Sequence, residues 1–312
     1  MNGKMHPRDY LKRIGVRDLP ALTSPFDPGY DPVTLESHLE QSSHLFSILK
    51  ISMSCWMIAN ESATRQKIEA AQRCEVPVVT GGGPFEIAVA QGGLPAYLDL
   101  CADLGVTRIE CGEGFTEMPL EPRQVIAMAA ERGLDVQFEL GKKHEGPFSG
   151  QGVEALILQG RRWLDAGAVQ LVIEARERAR GVGLFDGEGV LNAAYADLFA
   201  EAYGLGTVMF EAPNKPSQFA LLDHFGPEVQ PDDQGAAYVL NLLVLPWASS
   251  RFAKEGIPGL QRRTWQRIVQ RADALRGDAR NAARLTGEGR TAGGLALSVY
   301  GRYDGTNDLS GP

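Results

Sequence analysis

Histidine and cysteine are both scarce in this chain, at five and four residues among 312. The cysteines, Cys55, Cys74, Cys101 and Cys111, lie too far apart for a zinc ribbon or a CxxC redox motif. A chain of this length with no secretory signal fits reduced thiols better than a disulfide framework. Long hydrophobic runs are also missing: stretches such as "YVLNLLVLPW" are too short to span a bilayer. The N-terminal "MNGKMHPRDYLKRIG" lacks the apolar centre of a signal peptide. Nor is there an excess of basic charge. With 31 Lys and Arg against 39 Asp and Glu, the net charge is −8 and the pI is near 5.3. That balance argues against a nucleic-acid or membrane surface. What is left is a soluble cytoplasmic protein of ordinary globular composition, 44% hydrophobic and 22% charged. If its substrate is a small anion, local Lys, Arg or a metal ion has to overcome the overall repulsion.

What is present is a recurring alternation. Short apolar, β-branched runs occur at "LPALTSP" (19–25), "LFSILKIS" (45–52), "VPVVTGG" (76–82), "VTRIECG" (106–112), "LDVQFELG" (134–141), "AVQLVIEAR" (168–176) and "GTVMFEAP" (206–213). Segments with helical periodicity separate them, including "PAYLDLCADLG", "PRQVIAMAAERG" and "GVEALILQGRRWLDAG". Gly105, Gly133 and Gly167 stand where helices would end before the next strand. Strand–helix units spaced by roughly 30 residues are the signature of βαβ crossovers and a parallel sheet. Seven such units approach a closed (β/α)8 barrel of the TIM type. The alternative is an open doubly wound sheet, which would usually carry a GxGxxG fingerprint; "VTGGGPFE" (79–86) is not one. Both "EVQ" (228–230) and "YVLNLLVL" (238–245) are candidates for an eighth strand. The chain divides into an N-terminal extension (1–18), the barrel (19–250) and a C-terminal helical and Gly-rich extension (251–312). In the last, residues 259–285 read as helix with an Arg-rich face, for solvent or for subunit packing.

Four strands share one ending, apolar residues followed by Glu and a small or turn residue: Glu110 in "RIECG", Glu139 in "QFELG", Glu174 in "VIEAR" and Glu211 in "MFEAP". Strand C-termini of a barrel converge on one face, where active sites are built. Four carboxylates arriving there repel one another unless a divalent cation or interleaved Lys and Arg intervene. The same strand ends supply such cations: Lys142 and Lys143, Arg176 and Lys215, with Lys50 inside the second strand. Oxygen ligands without His or Cys point to Mg²⁺, or Mn²⁺, rather than zinc. Each Glu taken singly is more often a salt-bridged barrel residue than a ligand; the repetition is what favours a site. "TGGGPFE" (80–86) brings backbone N–H groups at Gly82 and Gly83 within reach of an anion, or simply makes a tight βα turn. Glu86 faces the same cavity if the following helix starts there. His144 reads as a loop histidine.

In these segments the chain resembles the phosphosulfolactate synthase family. "VVTGGGPFEIAVAQGGLPAYLDLCADLGVTRIECGEG", "FELGKK", "VIEARERARGVGLFDGEGV" and "MFEAPNKPSQFALLDHFG" look like its successive motifs, in order from Leu45 to Gly226. The resemblance implies a (β/α)8 barrel that adds sulfite to phosphoenolpyruvate with Mg²⁺, on a route to coenzyme M or related sulfonates. It implies a homo-oligomer. It also places the acid–base lysine on Lys143, with Lys142 as charge neighbour, and matches its strand-end acids to Glu86, Glu110, Glu139, Glu174 and Glu211. Arg176 and Lys215 fall beside them, and together with Lys50, Gly82 and Gly83 they are the expected substrate-binding groups. The expected metal ligands are Glu110, Glu174, Glu211 and Glu86.

Three departures from the family pattern stand out. "LKISMSCWMIAN" keeps Lys50 but moves the family's Trp to Trp56; Glu113 stands where an Asp is usual; and past "HFGPEV" the family's Arg-Gly-Asp-containing end segment is not recognisable. Other enolate chemistry on the same barrel, or a non-catalytic stress-associated homologue, are the alternatives to the synthase reaction.

Overall fold

The computed structural model describes residues 5–13, 22–51, 55–114, 121–176, 178–225 and 242–244. Eight parallel strands close into a barrel in chain order. They are β1 (Thr23–Asp27), β2 (Leu49–Ile51), β3 (Val78–Thr80), β4 (Arg108–Gly112), β5 (Asp135–Leu140), β6 (Gln170–Ile173), β7 (Val208–Ala212) and β8 (Leu242–Val244). β8 closes the ring by pairing with both β7 and β1. It falls inside "YVLNLLVL", the second of the two candidate segments. The other candidate, 228–230, lies outside the described residues, as do the expected helices over 259–285 and the Gly-rich tail.

The helices are α1 (Pro7–Arg13), α2 (Pro32–Ser42), α3 (Cys55–Ile58), α4 (Glu61–Arg73), α5 (Gly82–Ala90), α6 (Leu94–Asp103), α7 (Pro122–Ala130), α8 (Gly150–Ala166), α9 (Ala193–Tyr203) and α10 (Lys215–Phe225). Local chemistry sets their ends. Asp31 caps α2 by accepting from Val33 and Thr34 with Pro32 in the first turn, and Ser149 caps α8 by accepting from the Gly152 N–H. Gly167 ends α8 at φ 117°, a conformation that a residue with a Cβ adopts only at a cost. No helix among the described residues is long and apolar enough to cross a membrane. Cys74, Cys101 and Cys111 are free thiols.

The strand alternation separates two very different layers. Ile109, Phe138, Leu171 and Phe210 join the helices in one apolar cluster; Phe138 stacks on Trp163 of α8 at 4.2 Å and Phe210 on Phe225 of α10 at 5.4 Å. Each such aromatic contributes about 1.5–3 kcal/mol through removal from water. The alternate positions, pointing into the barrel, are largely polar: Lys50, Glu110, Gln137, Glu139, Gln170 and Glu211 are all buried. A barrel interior is ordinarily filled by branched apolar side chains. Here the apolar core sits between strands and helices, while the lumen is charged.

Candidate functional site

β2, β4, β5 and β7 and the end of β6 bring Lys50, Glu110, Glu139, Glu211 and Glu174 together at the C-terminal mouth. Lys50 Nζ lies 2.7 Å from Glu110 Oε1, 3.6 Å from Glu211 Oε1 and 3.9 Å from Glu139 Oε2. A second ammonium caps the group. Lys143 Nζ donates to Glu139 Oε1 at 2.8 Å and to Glu174 Oε2 at 2.5 Å. Glu139 therefore bridges the two lysines. Four carboxylates face two ammonium groups, and the structure resolves the imbalance unevenly.

For Lys50, burial disfavours the charged form, but Glu110, Glu211 and Glu139 outweigh it and raise the pKa. Lys143 is raised well above the ordinary lysine value: burial again opposes, and Glu139, Glu174 and Glu211 prevail. Glu110 and Glu139 are pushed up by burial, against the pull of Lys50 and Lys143 respectively. Glu211 is pushed furthest up, by burial and by Glu174. Glu174 alone is lowered: burial would raise it, but Lys143 and a set of hydrogen bonds hold it ionised. The surplus negative charge thus weighs most heavily on Glu211.

These shifts predict an alkaline weakness. A lysine whose pKa rises on folding stabilises the fold fully below its unfolded value, and that contribution is lost as pH climbs toward the folded pKa. For Lys50 and Lys143 the loss begins near the ordinary value of 10.5. Urea midpoints measured from roughly pH 9 to 12 should fall more steeply for the native chain than for Lys143→Met. Equal slopes would remove Lys143 from the titrating cluster.

Two loops set Lys143 in place. Gly141 turns the chain at φ 113° directly after β5, where a Cβ would press on Phe148 and on Glu174 Cβ at 3.0 and 3.1 Å. The segment that follows is laced to the β6–α9 loop: Phe148 donates its N–H to the Gly183 carbonyl at 2.8 Å, and Gly183 donates to Gly146 at 3.2 Å. Arg176 joins both loops to the acids. Its N–H reaches Glu174 Oε1 at 2.6 Å and Glu211 Oε2 at 3.2 Å, and its guanidinium donates to the Lys143 carbonyl at 2.8 Å. To do this Arg176 takes φ 56°, an unfavourable region for a residue with a side chain.

Gly183 has the tightest approach. At φ 57° a Cβ there would lie 2.1 Å from the Glu174 carbonyl oxygen, and backbone cannot rotate aside. Gly183→Ala is expected to lose about 1–3 kcal/mol of stability, the usual range for overpacking, and to displace Glu174. Urea unfolding together with initial rates would check it; an unchanged midpoint would refute the contact.

The other expected site residues distribute as follows. Glu86 is buried, and its Oε1 accepts from the Gly114 N–H at 3.1 Å; a Cβ on Gly114 would touch both Glu86 and the stem of Lys143. Gly82 opens α5, but its N–H is directed at Glu110 Oε1 at 3.0 Å. Gly83 is buried in the same turn. Lys142 is exposed and paired with Glu145 at 2.9 Å. Lys215 is exposed on α10, 5.6 Å from the Phe219 ring centroid, and the ion pairs of the cluster do not include it. His144 sits on the rim, its Nδ1 3.3 Å from Arg176, with its pKa lowered by burial and by Arg176 and Lys143. Glu113 accepts from Gln159 of α8 at 2.9 Å. The relocated Trp56 packs against Tyr97 in the apolar layer, away from the charges.

Sequence reading missed the layer beneath the acids. Gln137 donates to Glu110 Oε2 at 2.8 Å, and Arg108 donates to Gln170 at 2.9 Å and to Gln137 at 3.4 Å. The signal was available. Arg108 and Gln137 each precede a site acid by two residues, which puts them on the same strand face.

A cavity of about 680 Å³ opens beside the cluster between the β5–α8 loop and α8; Glu139, Gly141, Lys142 and Gln159 are among its walls. Among the described residues, no three His, Cys, Asp or Glu side chains are grouped so as to hold a metal ion. Glu139 Oε2 and Glu211 Oε1 meet Lys50 only at 3.9 and 3.6 Å.

The model of the (2R)-phospho-3-sulfolactate synthase family matches residues 20–231. The phosphosulfolactate synthase of Methanocaldococcus jannaschii is 31% identical over 209 residues, covering 67% of this chain and 83% of that protein. Those of Methanothermobacter thermautotrophicus and Bacillus subtilis are 25% and 24% identical, over 72% and 65% of this chain and 88% and 80% of theirs.

Proposed function

Because the chain belongs to the (2R)-phospho-3-sulfolactate synthase family, lyases that form a C–S bond, we propose that it adds sulfite to phosphoenolpyruvate and that Lys143 supplies the proton. The observation that carries this reading is the Lys143 ammonium, held by Glu139 and Glu174 at the barrel mouth. Sulfite sulfur bonds to the methylene carbon, the double-bond electrons move to the adjacent carbon and its carboxylate, and a proton from Lys143 Nζ closes the sequence at that carbon. The product is phosphosulfolactate and a neutral lysine, which regains its proton from solvent, so that one proton is taken up for each sulfite dianion added. Lys50, fixed as an ammonium, faces the negative charge that develops on the carboxylate. The cavity beside Glu139 is large enough for both anions.

The donor set suits Mg²⁺ of the kind bound by one or two carboxylates, with substrate oxygens and water completing the shell, better than it suits a cage of protein ligands. Glu139 and Glu211 would hold it, and when bound it would stabilise the enolate-like charge. Glu110 is a poorer ligand, since both its oxygens already accept from Lys50, Gly82 and Gln137.

Purified protein incubated with phosphoenolpyruvate, sulfite and Mg²⁺ should form phosphosulfolactate, detectable by mass spectrometry. No product from the native chain would sink the reading. Thermal melting with Mg²⁺ and phosphoenolpyruvate together should rise above either alone; additive or absent shifts would remove the metal from the site.

A further inference from the structure

The polar column under the acids has no part in the proton transfer, yet its two glutamines are buried and hydrogen-bonded, and the half-buried Arg108 beneath them leaves its Nε without a partner. Gln137 is 1% exposed and Gln170 7%, so neither is a surface residue in passing. Strand register puts Glu110, Gln137 and Gln170 side by side on β4, β5 and β6, with Arg108 one step below. From Arg108 the contacts run without a break: Nη1 to Gln170 Oε1 at 2.9 Å and to Gln137 Oε1 at 3.4 Å, then Gln137 Nε2 to Glu110 Oε2 at 2.8 Å, then Glu110 Oε1 to Lys50 Nζ at 2.7 Å.

The polarity of the chain is forced. A glutamine amide has one acceptor and one donor end, and Arg108 is a donor only, so it selects the orientation in which Gln137 presents its NH₂ to Glu110. With Oε2 so fixed, Glu110 turns Oε1 toward Lys50 and the Gly82 N–H. Without Arg108 the amide is free to flip and offer its oxygen to a carboxylate, which repels it. An apolar residue at 137 would leave a buried carboxylate oxygen unmet. A lumen meant only for stability is better filled with branched apolar side chains than with a charged column.

We propose that Gln137, oriented by Arg108, is a positioning residue that fixes the Glu110 carboxylate and through it the Lys50 ammonium. This rests on the reading of Lys50 as a group that meets the substrate. The column acts through Glu110, and neither Arg108 nor Gln137 touches the reacting atoms.

The test uses the full-length chain and the variants Gln137→Leu, Arg108→Met and their combination. Turnover of phosphoenolpyruvate and sulfite should fall at least tenfold in Q137L through kcat, with KM within about twofold, because the ammonium is displaced and not lost. The double variant should be no slower than Q137L, since both break one chain. An unchanged kcat, a rise in KM in its place, or additive losses would overturn the proposal. Should Q137L fail to fold, R108M alone must show the same kcat loss. A second readout needs no substrate. The Gln137 side-chain amide protons, assigned by their loss in Q137L, should resonate downfield and shift back in both E110Q and R108M. If the native chain makes no phosphosulfolactate, the reaction reading fails and this signature alone decides: shifted in R108M supports the column, unmoved in R108M overturns it.

Discussion

Lys50→Met is expected to leave Glu110, Glu139 and Glu211 facing one another with only the Lys143 ammonium, at Glu139, to offset them. Removing one partner of a buried ion pair typically costs about 3–5 kcal/mol, mostly from the charge left behind. Thermal midpoints in a protein of this size shift a few degrees per kcal/mol, so a fall of roughly 10 °C is expected near neutral pH. The deficit should shrink as the solution is acidified. The three carboxylates already have raised pKa values, and losing Lys50 raises them further. A carboxylate with a raised folded pKa penalises the fold above that pKa and ceases to do so as pH falls through it. Differential scanning calorimetry across the mildly acidic range would show the curves of variant and native chain converging. A parallel displacement at every pH would mean that Lys50 is held by packing and not by charge.

Lys143→Ala should leave substrate affinity largely intact and reduce turnover by about 10²–10⁴, the range associated with loss of a positioned proton donor. The informative partner is Lys143→Arg, which keeps the positive charge between Glu139 and Glu174 but does not release a proton in the working range. It should recover the stability lost in the alanine variant while remaining nearly as slow. Activity restored by arginine would reassign Lys143 to electrostatic support. Because the folded pKa of Lys143 lies well above the ordinary 10.5, the native rate should show no loss from lysine deprotonation through the neutral range. A descending limb near neutrality, absent in Lys143→Arg, would contradict the raised value.

Much of this was legible in the chain itself. The strand ends carrying Glu110, Glu139, Glu174 and Glu211 could be found because the same apolar-run-then-Glu ending recurs four times, and parallel strands deliver such residues to one face. The fold followed from the spacing of the same units. Other features were not legible, for reasons of geometry. Lys215 and Lys142 follow their acids by a few residues just as Lys143 does, but chain direction after the strand decides which lysine turns inward. Gly141 and the lacing of Gly183 to Gly146 do that for Lys143, whereas Lys215 begins a helix and points along its surface. Gly82 looked free to bind an anion; a partner 28 residues away takes its N–H. Long-range contacts of that kind have no local signature.

Glu139 touches both lysines, and this has a consequence for how such a site changes over generations. A substitution at Lys50 alters the load on Glu139 and thereby the acidity of Lys143, and the reverse holds equally. The effect of a replacement at one lysine therefore depends on what already occupies the other. Mutational routes to a new acceptor would be strongly order-dependent, with some double variants reachable only through one of the two single steps. The apolar layer outside the strands, which does not share these contacts, would remain free to drift.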